Sequence, residues 1–198
     1  LARMLAAEMH SGFSALRTAC PMNLRVAYTD FPMTEAVHAD LTRIEALWDF
    51  ARTRFAKDSP WLFGAYSVAD VFFAPVAGRI AGYGLKVGDT GATYVAAHLA
   101  HPSFRRWRAM GMVDGDDQPN YWRDFARGAW PGPTPLAAQA VASGPSVNTA
   151  CPYSGDPVTH YLSLSGKTYG FCNAFCRDKT VADAEAWPKF MALVAAQA

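Results

Sequence analysis

Residues 61–85 have the sequence WLFGAYSVADVFFAPVAGRIAGYGL. Ser67 and Asp70 stand three residues apart, which is the spacing of a capping box, in which each side chain accepts a hydrogen bond from the other residue's backbone N–H. This pair predicts that a helix begins at Ser67. From Val71 to Leu85 nearly every side chain is apolar, and a helix that is apolar on all faces belongs inside a packed core. The stretch therefore predicts the buried central helix of an α-helical bundle.

A membrane span is the competing interpretation of this stretch, because the apolar run approaches spanning length. Asp70, Pro75 and Arg79 interrupt the run, and the mean hydropathy of the chain is −0.01, so we expect no membrane segment. The chain has 198 residues, of which 51% are hydrophobic and 18% are charged, and its formal net charge is +1. This composition predicts a folded globular protein and gives no electrostatic reason to expect nucleic acid or an anionic membrane as a partner.

Two apolar patterns that precede the central helix predict two more helices. Near the start of the chain every third or fourth residue is apolar, which predicts one helix that ends near Cys20. Thr34 can cap a second helix, whose broad apolar face extends to about Lys57. The apolar positions of the first helix are Leu5, Met9, Phe13 and Leu16. Together with the central helix, these segments predict a mainly α fold.

A change of composition after residue 130 predicts a domain boundary. Residues 131–135 are PGPTP, which neither a helix nor a sheet accommodates, and the residues that follow are small and uncharged. We therefore expect a helical domain over residues 1–130, a Pro/Ala-rich linker over 131–147, and a small second module over 148–198.

The second module carries three of the four cysteines, at Cys151, Cys172 and Cys176. Between the first two, a pair of strand patterns flanks Ser165-Gly166, which predicts a hairpin, and a helix from about 175 to 187 follows. A core this small is commonly stabilised by a metal ion. Converging thiolates are soft ligands suited to Zn²⁺ or Cu(I). The pattern predicts a ββα metal-binding module.

The sequence does not decide which group would be the fourth metal ligand. His160 is the nearest candidate, and Asp156, Asp178 or a water molecule are alternatives. A packed cluster of reduced thiols, or a disulfide between Cys172 and Cys176, would explain the same cysteines without a metal. Because thiol chemistry of this kind belongs to a reducing compartment and no secretion signal opens the sequence, we expect a cytoplasmic protein.

Several stretches resemble the C-terminal all-helical domain of glutathione S-transferases. They are WLFG at 61–64, SVAD at 67–70 and HPSFRRW at 101–107. EMHSGF at 8–13 and CPMNL at 20–24 resemble a bacterial subgroup distantly related to the zeta-like, serine-using enzymes. The resemblance covers about two-thirds of the chain, and it implies a homodimer.

The resemblance also implies a catalytic half that this sequence does not contain. Family members carry an N-terminal thioredoxin-like domain, which binds glutathione and supplies the Ser, Tyr or Cys that stabilises its thiolate. No such unit precedes Leu1, so we expect a truncated start and no catalytic residue in the chain. What the resemblance leaves is one wall of the pocket for a small electrophilic substrate. Its candidate residues are Phe13, Leu16, Arg17, Arg79 and Tyr83.

Arg79 is the most informative of these candidates, because a guanidinium in an apolar helix needs a partner. The functional interpretation directs it at a carboxylate on the second substrate. The structural interpretation pairs it with a core carboxylate such as Asp49, or with backbone carbonyls.

The C-terminal module resembles the YHS and TRASH-type metal-binding modules, whose pattern is one cysteine, a hairpin and then Cys-x-x-x-Cys. Their proposed role is to bind or sense heavy metals. Ser154 stands where a full zinc knuckle would have a second cysteine. Two functions follow: the electrophile side of a glutathione-conjugating or isomerising enzyme, or a non-catalytic metal-binding or metal-sensing module on a helical docking domain.

Overall fold

The computed structural model describes residues 1–56 and 58–197. Contacts divide the chain into two compact units. The first comprises the described residues within 1–101 and 117–132, and the second comprises those within 102–116 and 133–198. The predicted helical domain, linker and second module, with boundaries at residues 130 and 147, stay a prediction, because the contacts define only these two compact units.

The first unit is mainly helical, as the sequence predicted. Its helices are α1 (Ala2–Ser11), α2 (Ser14–Ala19), α3 (Glu35–Phe55), α4 (Val68–Gly82) and α5 (Asp89–Ala100). A short antiparallel pair, β1 (Ala27–Tyr28) with β2 (Arg127–Gly128), and a 3₁₀ turn at Pro119–Tyr121 complete the described elements. Helix α4 packs against α1 and α5, and α3 packs against α2 and α5. The helix predicted from residues 61–85 therefore lies between two neighbours.

The capping box is present at the start of α4, where Ser67 is the N-cap and Asp70 is the third helical residue. One Asp70 carboxylate oxygen accepts from the Ser67 backbone N–H at 2.8 Å and from the Ser67 hydroxyl at 2.7 Å. The other accepts from the Leu62 N–H and the Tyr94 hydroxyl, both at 3.0 Å. The Asp70 side chain is fully buried, so one carboxylate joins the preceding loop, the helix start and α5.

The prediction that α4 is buried on all faces is wrong for its first turn. Val68 is 70% exposed, Val71 51% and Phe72 37%, whereas Phe73 and Ala77 are fully buried. No neighbouring element of the described chain covers the outer side of that turn. The helix is apolar all round, and part of its apolar surface faces outward.

The single helix predicted to end near Cys20 is two helices in the structure. Helix α1 ends at Gly12, whose backbone N–H donates to the Glu8 carbonyl at 2.8 Å. A Cβ at Gly12 would lie 2.7 Å from that carbonyl oxygen, so only glycine fits there. Phe13 follows in the left-handed region with φ of 59°. The apolar stripe continues across the break, because Phe13 and Leu16 are both buried.

Helix α3 begins as predicted, because the Thr34 hydroxyl accepts from the Val37 N–H at 3.3 Å. The predicted end near Lys57 lies outside the described residues.

The centre of the unit is aromatic: the Trp48 ring lies 4.6 Å from that of Tyr94 and 5.7 Å from that of Phe73, measured between centroids. Burial lowers the pKa of the neighbouring His98 to about 4, so this histidine is neutral near pH 7.

The second unit contains a three-stranded antiparallel sheet with helices packed on it. Its elements are α6 (Pro102–Gly111), β3 (Ala138–Val141), β4 (His160–Leu164), β5 (Lys167–Phe171), α7 (Ala174–Ala182) and α8 (Pro188–Ala195). The strand order is β3-β4-β5. Leu162, Tyr169, Phe171 and Phe190 are fully or almost fully buried in its core.

The predicted hairpin is present, and its turn is Ser165-Gly166, with φ of 50° and 76°. Strand β3 was not predicted, because its sequence, AQAV, has neither a strong alternation nor branched residues until the last position. It pairs with β4 from Ala138 to Val141, within the stretch predicted to be a tether. The helix predicted from 175 to 187 is interrupted at Asp183.

An ion pair fixes α6 within the second unit. Arg105 donates from Nε and Nη2 to the two carboxylate oxygens of Asp183, each at 2.7 Å, and from Nη2 to Glu185 at 3.2 Å. Asp183 is only 5% exposed.

Among the described helices, none is both long and apolar enough to cross a membrane.

Candidate metal centre

Three cysteines converge at one end of the sheet in the second unit. Cys151 lies in the loop before β4, Cys172 directly follows β5, and Cys176 lies in the first turn of α7. Their sulphur atoms all lie within 4.8 Å of one another, and those of Cys172 and Cys176 are 3.9 Å apart. All three are free thiols, so the disulfide alternative is not formed in this structure.

Two local structures position these thiols. In the first loop, Cys151 donates its N–H to the Asp156 carbonyl at 2.8 Å and accepts from Gly155 N–H at 2.9 Å, which closes a tight turn around the sulphur. Gly155 has φ of 84°, in the left-handed region. In the second, the Asn173 side chain caps α7 by accepting from the Cys176 N–H at 2.8 Å. The β4–β5 hairpin then brings Cys172 back beside Cys151.

Electrostatics favour a thiolate at Cys151. Burial alone would raise its pKa, but the backbone N–H groups of Ser154, Cys172 and Tyr153 stabilise the charged form and lower the pKa to about 7. At Cys176 burial is the largest cause, and it raises the pKa to about 11 together with the neighbouring thiols. Thiols that crowd each other in this way are expected to lose their protons when a cation arrives.

The spacing of the sulphurs fits a metal ion of ordinary size. Metal–sulphur bonds of about 2.3 Å at tetrahedral angles place two thiolates about 3.8 Å apart. The Cys172 and Cys176 sulphurs, 3.9 Å apart, match that separation without movement, and the third sulphur needs a shift of less than about 1 Å. The residues present therefore fit a thiolate-bound metal.

None of the side chains predicted as a fourth ligand, His160, Asp156 and Asp178, joins the cluster: among the described residues the only group of possible metal ligands of this kind is the three cysteines. The His160 Nδ1 lies 2.9 Å from the Thr159 hydroxyl, and the Asp178 carboxylate pairs with Arg177 at 2.6 Å. The Ser154 hydroxyl contacts the cluster, because it donates a hydrogen bond to the Cys172 sulphur at 3.3 Å. The fourth position thus falls to Ser154 or to solvent.

The substrate-binding candidates of the first unit lie around the chain segment 10–21, and most are occupied by internal contacts. Phe13 is 7% exposed and Leu16 is fully buried. Arg17 donates to the His10 carbonyl at 2.7 Å, and the Tyr83 hydroxyl donates to the Pro21 carbonyl at 3.0 Å. Their role in binding a substrate stays a prediction.

Arg79 donates hydrogen bonds to backbone carbonyls, which was one of the two predicted structural interpretations. Its Nε donates to the Cys20 carbonyl at 2.8 Å and its Nη1 donates to the Pro75 carbonyl at 3.2 Å. Burial and, to a smaller extent, the positive charge of Arg17 lower the pKa of Arg79. Neither Arg17 nor Arg79 forms an ion pair with a carboxylate of the described residues.

Sequence reasoning missed an apolar groove between α1 and the start of α4. It has a volume of about 460 Å³. Its lining residues are Ala2, Arg3, Ala6, Ala7, His10, Val68, Ala69 and Phe72. The signal was present in the run of alanines on α1, since small side chains leave room between packed helices.

Comparison with known proteins supports the helical assignment. Residues 34–109 match the family described as "Glutathione S-transferase, C-terminal domain". The matched stretch contains α3, α4 with its capping box, α5 and most of α6. A comparison with curated proteins found no match to the chain. The three-cysteine cluster lies outside the matched residues.

Proposed function

We propose that the second unit binds a thiophilic metal ion through Cys151, Cys172 and Cys176, and that the chain holds or senses this ion. The observation that carries the proposal is the convergence of three sulphurs within 4.8 Å. Three sulphurs this close together favour a bound cation, because a cation would compensate the charge of three neighbouring thiolates. The resemblance to YHS and TRASH-type modules supports the same conclusion.

The three thiolates supply both affinity and selectivity. Sulphur ligands favour Zn²⁺ and Cu(I) over Mg²⁺ or Ca²⁺, which prefer oxygen. The N-terminus of α7 places a partial positive charge beside Cys176 and stabilises its thiolate. Asn173 donates from Nδ2 to the Cys172 sulphur at 3.4 Å, which orients that ligand.

Removing one thiolate is expected to abolish tight binding. We expect the reduced protein to bind one equivalent of Zn²⁺ or Cu(I), and Cys151→Ser to lower the affinity by at least a hundredfold, because losing a ligand removes a large share of the binding free energy. Competition with a chromophoric chelator measures both affinities.

Cys20→Ala is the matched control, because Cys20 is a buried free cysteine of the first unit. Burial raises the pKa of its thiol to about 12, so it takes no part in thiolate chemistry, and the variant should bind metal like the parent. An unsubstituted protein that binds neither ion, or a Cys151→Ser variant with the parent's affinity, would contradict the proposed site.

The family match favours a second candidate function for the first unit. We propose that it contributes the electrophile side of a glutathione-conjugating or isomerising enzyme of a bacterial, distantly zeta-like kind, working as a cytoplasmic homodimer. Glutathione is the implied co-substrate, and the group that activates it belongs to a thioredoxin-like domain. Proximity of the glutathione thiolate to the electrophile then supplies most of the rate enhancement.

Arg79 tests this candidate. With Arg17 beside it and no described carboxylate partner for either, Arg79 contributes positive potential that favours an electrophile carrying a carboxylate. In a protein that carries this unit with the proposed thioredoxin-like domain, Arg79→Leu is expected to lower kcat/KM at least tenfold for carboxylate-bearing electrophiles and by less for neutral ones. An equal loss on both classes would show that Arg79 acts only by holding the Cys20 and Pro75 carbonyls.

A further inference from the structure

Lys179 on α7 has its ammonium group enclosed by three aromatic rings. The Nζ atom lies 4.3 Å from the centroid of the Tyr153 ring, 4.3 Å from that of Trp187 and 5.2 Å from that of Phe175. Each ring presents its negative face to the cation, and such contacts are strongest where water is partly excluded. The arrangement holds a positive charge at a fixed place.

Hydrogen bonds keep the rings in position. The Trp187 indole N–H donates to the Lys179 carbonyl at 3.1 Å. The Tyr153 hydroxyl lies 2.5 Å from the Thr180 hydroxyl, which donates to the Cys176 carbonyl at 2.8 Å. The cage is therefore tied to the same turn of α7 that carries a predicted metal ligand.

The cage also borders the thiolate cluster along the sequence. Tyr153 follows Cys151 by two residues, Phe175 precedes Cys176, and Lys179 lies one helical turn after Cys176 on the same face of α7. Residues three apart on a helix are neighbours, so the charge of Lys179 lies close enough to Cys176 to interact with the charge of that ligand.

Two other cations of this unit have their own acceptors. Arg177 pairs with Asp178 at 2.6 Å. Lys167 donates from Nζ to the backbone carbonyl of Gln197. Lys179 is instead held by aromatic rings, on the helix that carries Cys176.

A fixed positive charge beside the site stabilises complexes of different metal ions to different extents. Three thiolates carry three negative charges, so a complex with a divalent ion has a net charge of −1 and a complex with a monovalent ion has a net charge of −2. The attraction between Lys179 and the complex grows with that net negative charge. A lysine beside the site thus stabilises the monovalent complex more than the divalent one.

We propose that Lys179, held in the cage of Tyr153, Phe175 and Trp187, biases the three-thiolate site toward monovalent thiophilic ions such as Cu(I). This inference rests on the proposed metal-binding function and names its ion class. Among the described residues no histidine, carboxylate or further cysteine joins the three sulphurs. This acts in the same direction, because structural Zn²⁺ sites usually take four ligands of those kinds.

Lys179→Met tests the role of the charge, because methionine keeps an apolar stem of similar length that packs against aromatic rings. Affinities for Cu(I) under anaerobic conditions and for Zn²⁺ are measured by chelator competition on the full chain. We expect the Zn²⁺ affinity to fall on the order of tenfold and the Cu(I) affinity on the order of a hundredfold, as one and two units of charge interacting with Lys179 predict.

Lys179→Arg keeps the charge and should retain the parent's ratio of Cu(I) to Zn²⁺ affinity within about threefold. Lys167→Met removes a lysine of the same unit from outside the cage and should also leave the ratio unchanged. Equal weakening of both ions in Lys179→Met would assign the lysine a purely structural role and overturn the inference. Failure of the parent to bind either ion would instead overturn the metal-binding function on which it rests.

Discussion

Replacing Asp70 with alanine is expected to destabilise the first unit by about 3–5 kcal/mol. The carboxylate is fully buried and accepts four hydrogen bonds, from two backbone N–H groups and two hydroxyls. Truncation leaves the Leu62 N–H and the Tyr94 hydroxyl buried without an acceptor, and each such group costs about 1–3 kcal/mol. Urea unfolding gives the loss, and hydrogen exchange of the α4 amides assigns it to this unit.

Ser67→Ala separates the helix cap from the rest of this network. It removes one of the four hydrogen bonds to Asp70 and keeps the other three, so a loss of about 1 kcal/mol is expected. If Asp70→Ala costs no more than Ser67→Ala, the carboxylate acts only as a helix cap, and its contacts with Leu62 and Tyr94 contribute nothing measurable.

Ser154→Cys is expected to raise the affinity for Zn²⁺ at least a hundredfold. The Ser154 oxygen already lies 3.3 Å from the Cys172 sulphur, so a thiolate at this position needs little movement to enter the site. The substitution completes a four-sulphur set, which Zn²⁺ binds tetrahedrally and tightly. The affinity for Cu(I), which three sulphurs satisfy, should rise much less.

Substitution of Co²⁺ for Zn²⁺ provides a spectroscopic check, because the intensity of its absorption bands distinguishes tetrahedral from higher coordination. Ser163→Cys is the matched control. It adds a thiol to β4 where that strand pairs with Thr168, three residues from the end of β5 that leads to Cys172. A gain in Zn²⁺ affinity as large in Ser163→Cys as in Ser154→Cys would show that the added thiol acts non-specifically.

The parts of the fold that depend on local chemistry were predictable from the sequence. The Ser67–Asp70 spacing located the start of α4, Thr34 located the start of α3, and Ser165-Gly166 located the hairpin turn. In each case a few neighbouring side chains satisfy backbone groups or set φ, so the signal does not depend on the rest of the structure.

Features that depend on distant partners were not predictable in the same way. The second hydrogen-bonding role of Asp70 requires Tyr94 on another helix, and Arg105 finds its partner at Asp183, 78 residues along the chain. The break between α1 and α2 depends on the close approach of Gly12 to the Glu8 carbonyl. The outward face of the first turn of α4 could not be foreseen, because an apolar pattern shows which residues favour burial and not whether a neighbour covers them.

The candidate site, too, has features that were predictable from local sequence and features that depend on the fold. The spacing of the cysteines predicted that three thiols meet, and their sulphurs do lie within 4.8 Å of one another, because loop and hairpin geometry brings such residues together. That His160, Asp156 and Asp178 stand outside the group of three cysteines could be seen only in the fold, because proximity in sequence does not show which ligand atoms meet. The aromatic cage around Lys179 combines residues from three segments, and sequence proximity showed only its link to Cys176.

Strand β3 determines where the chain can be divided. Its backbone pairs with β4 along Ala138–Val141, so a fragment that starts at residue 148 exposes the hydrogen-bonding groups of an edge strand next to the buried Leu162 and Leu164. Uncovered edges of this kind recruit strands from other molecules and lead to aggregation. The residues that the sequence presented as a tether are therefore a protective edge of the sheet beside the three cysteines.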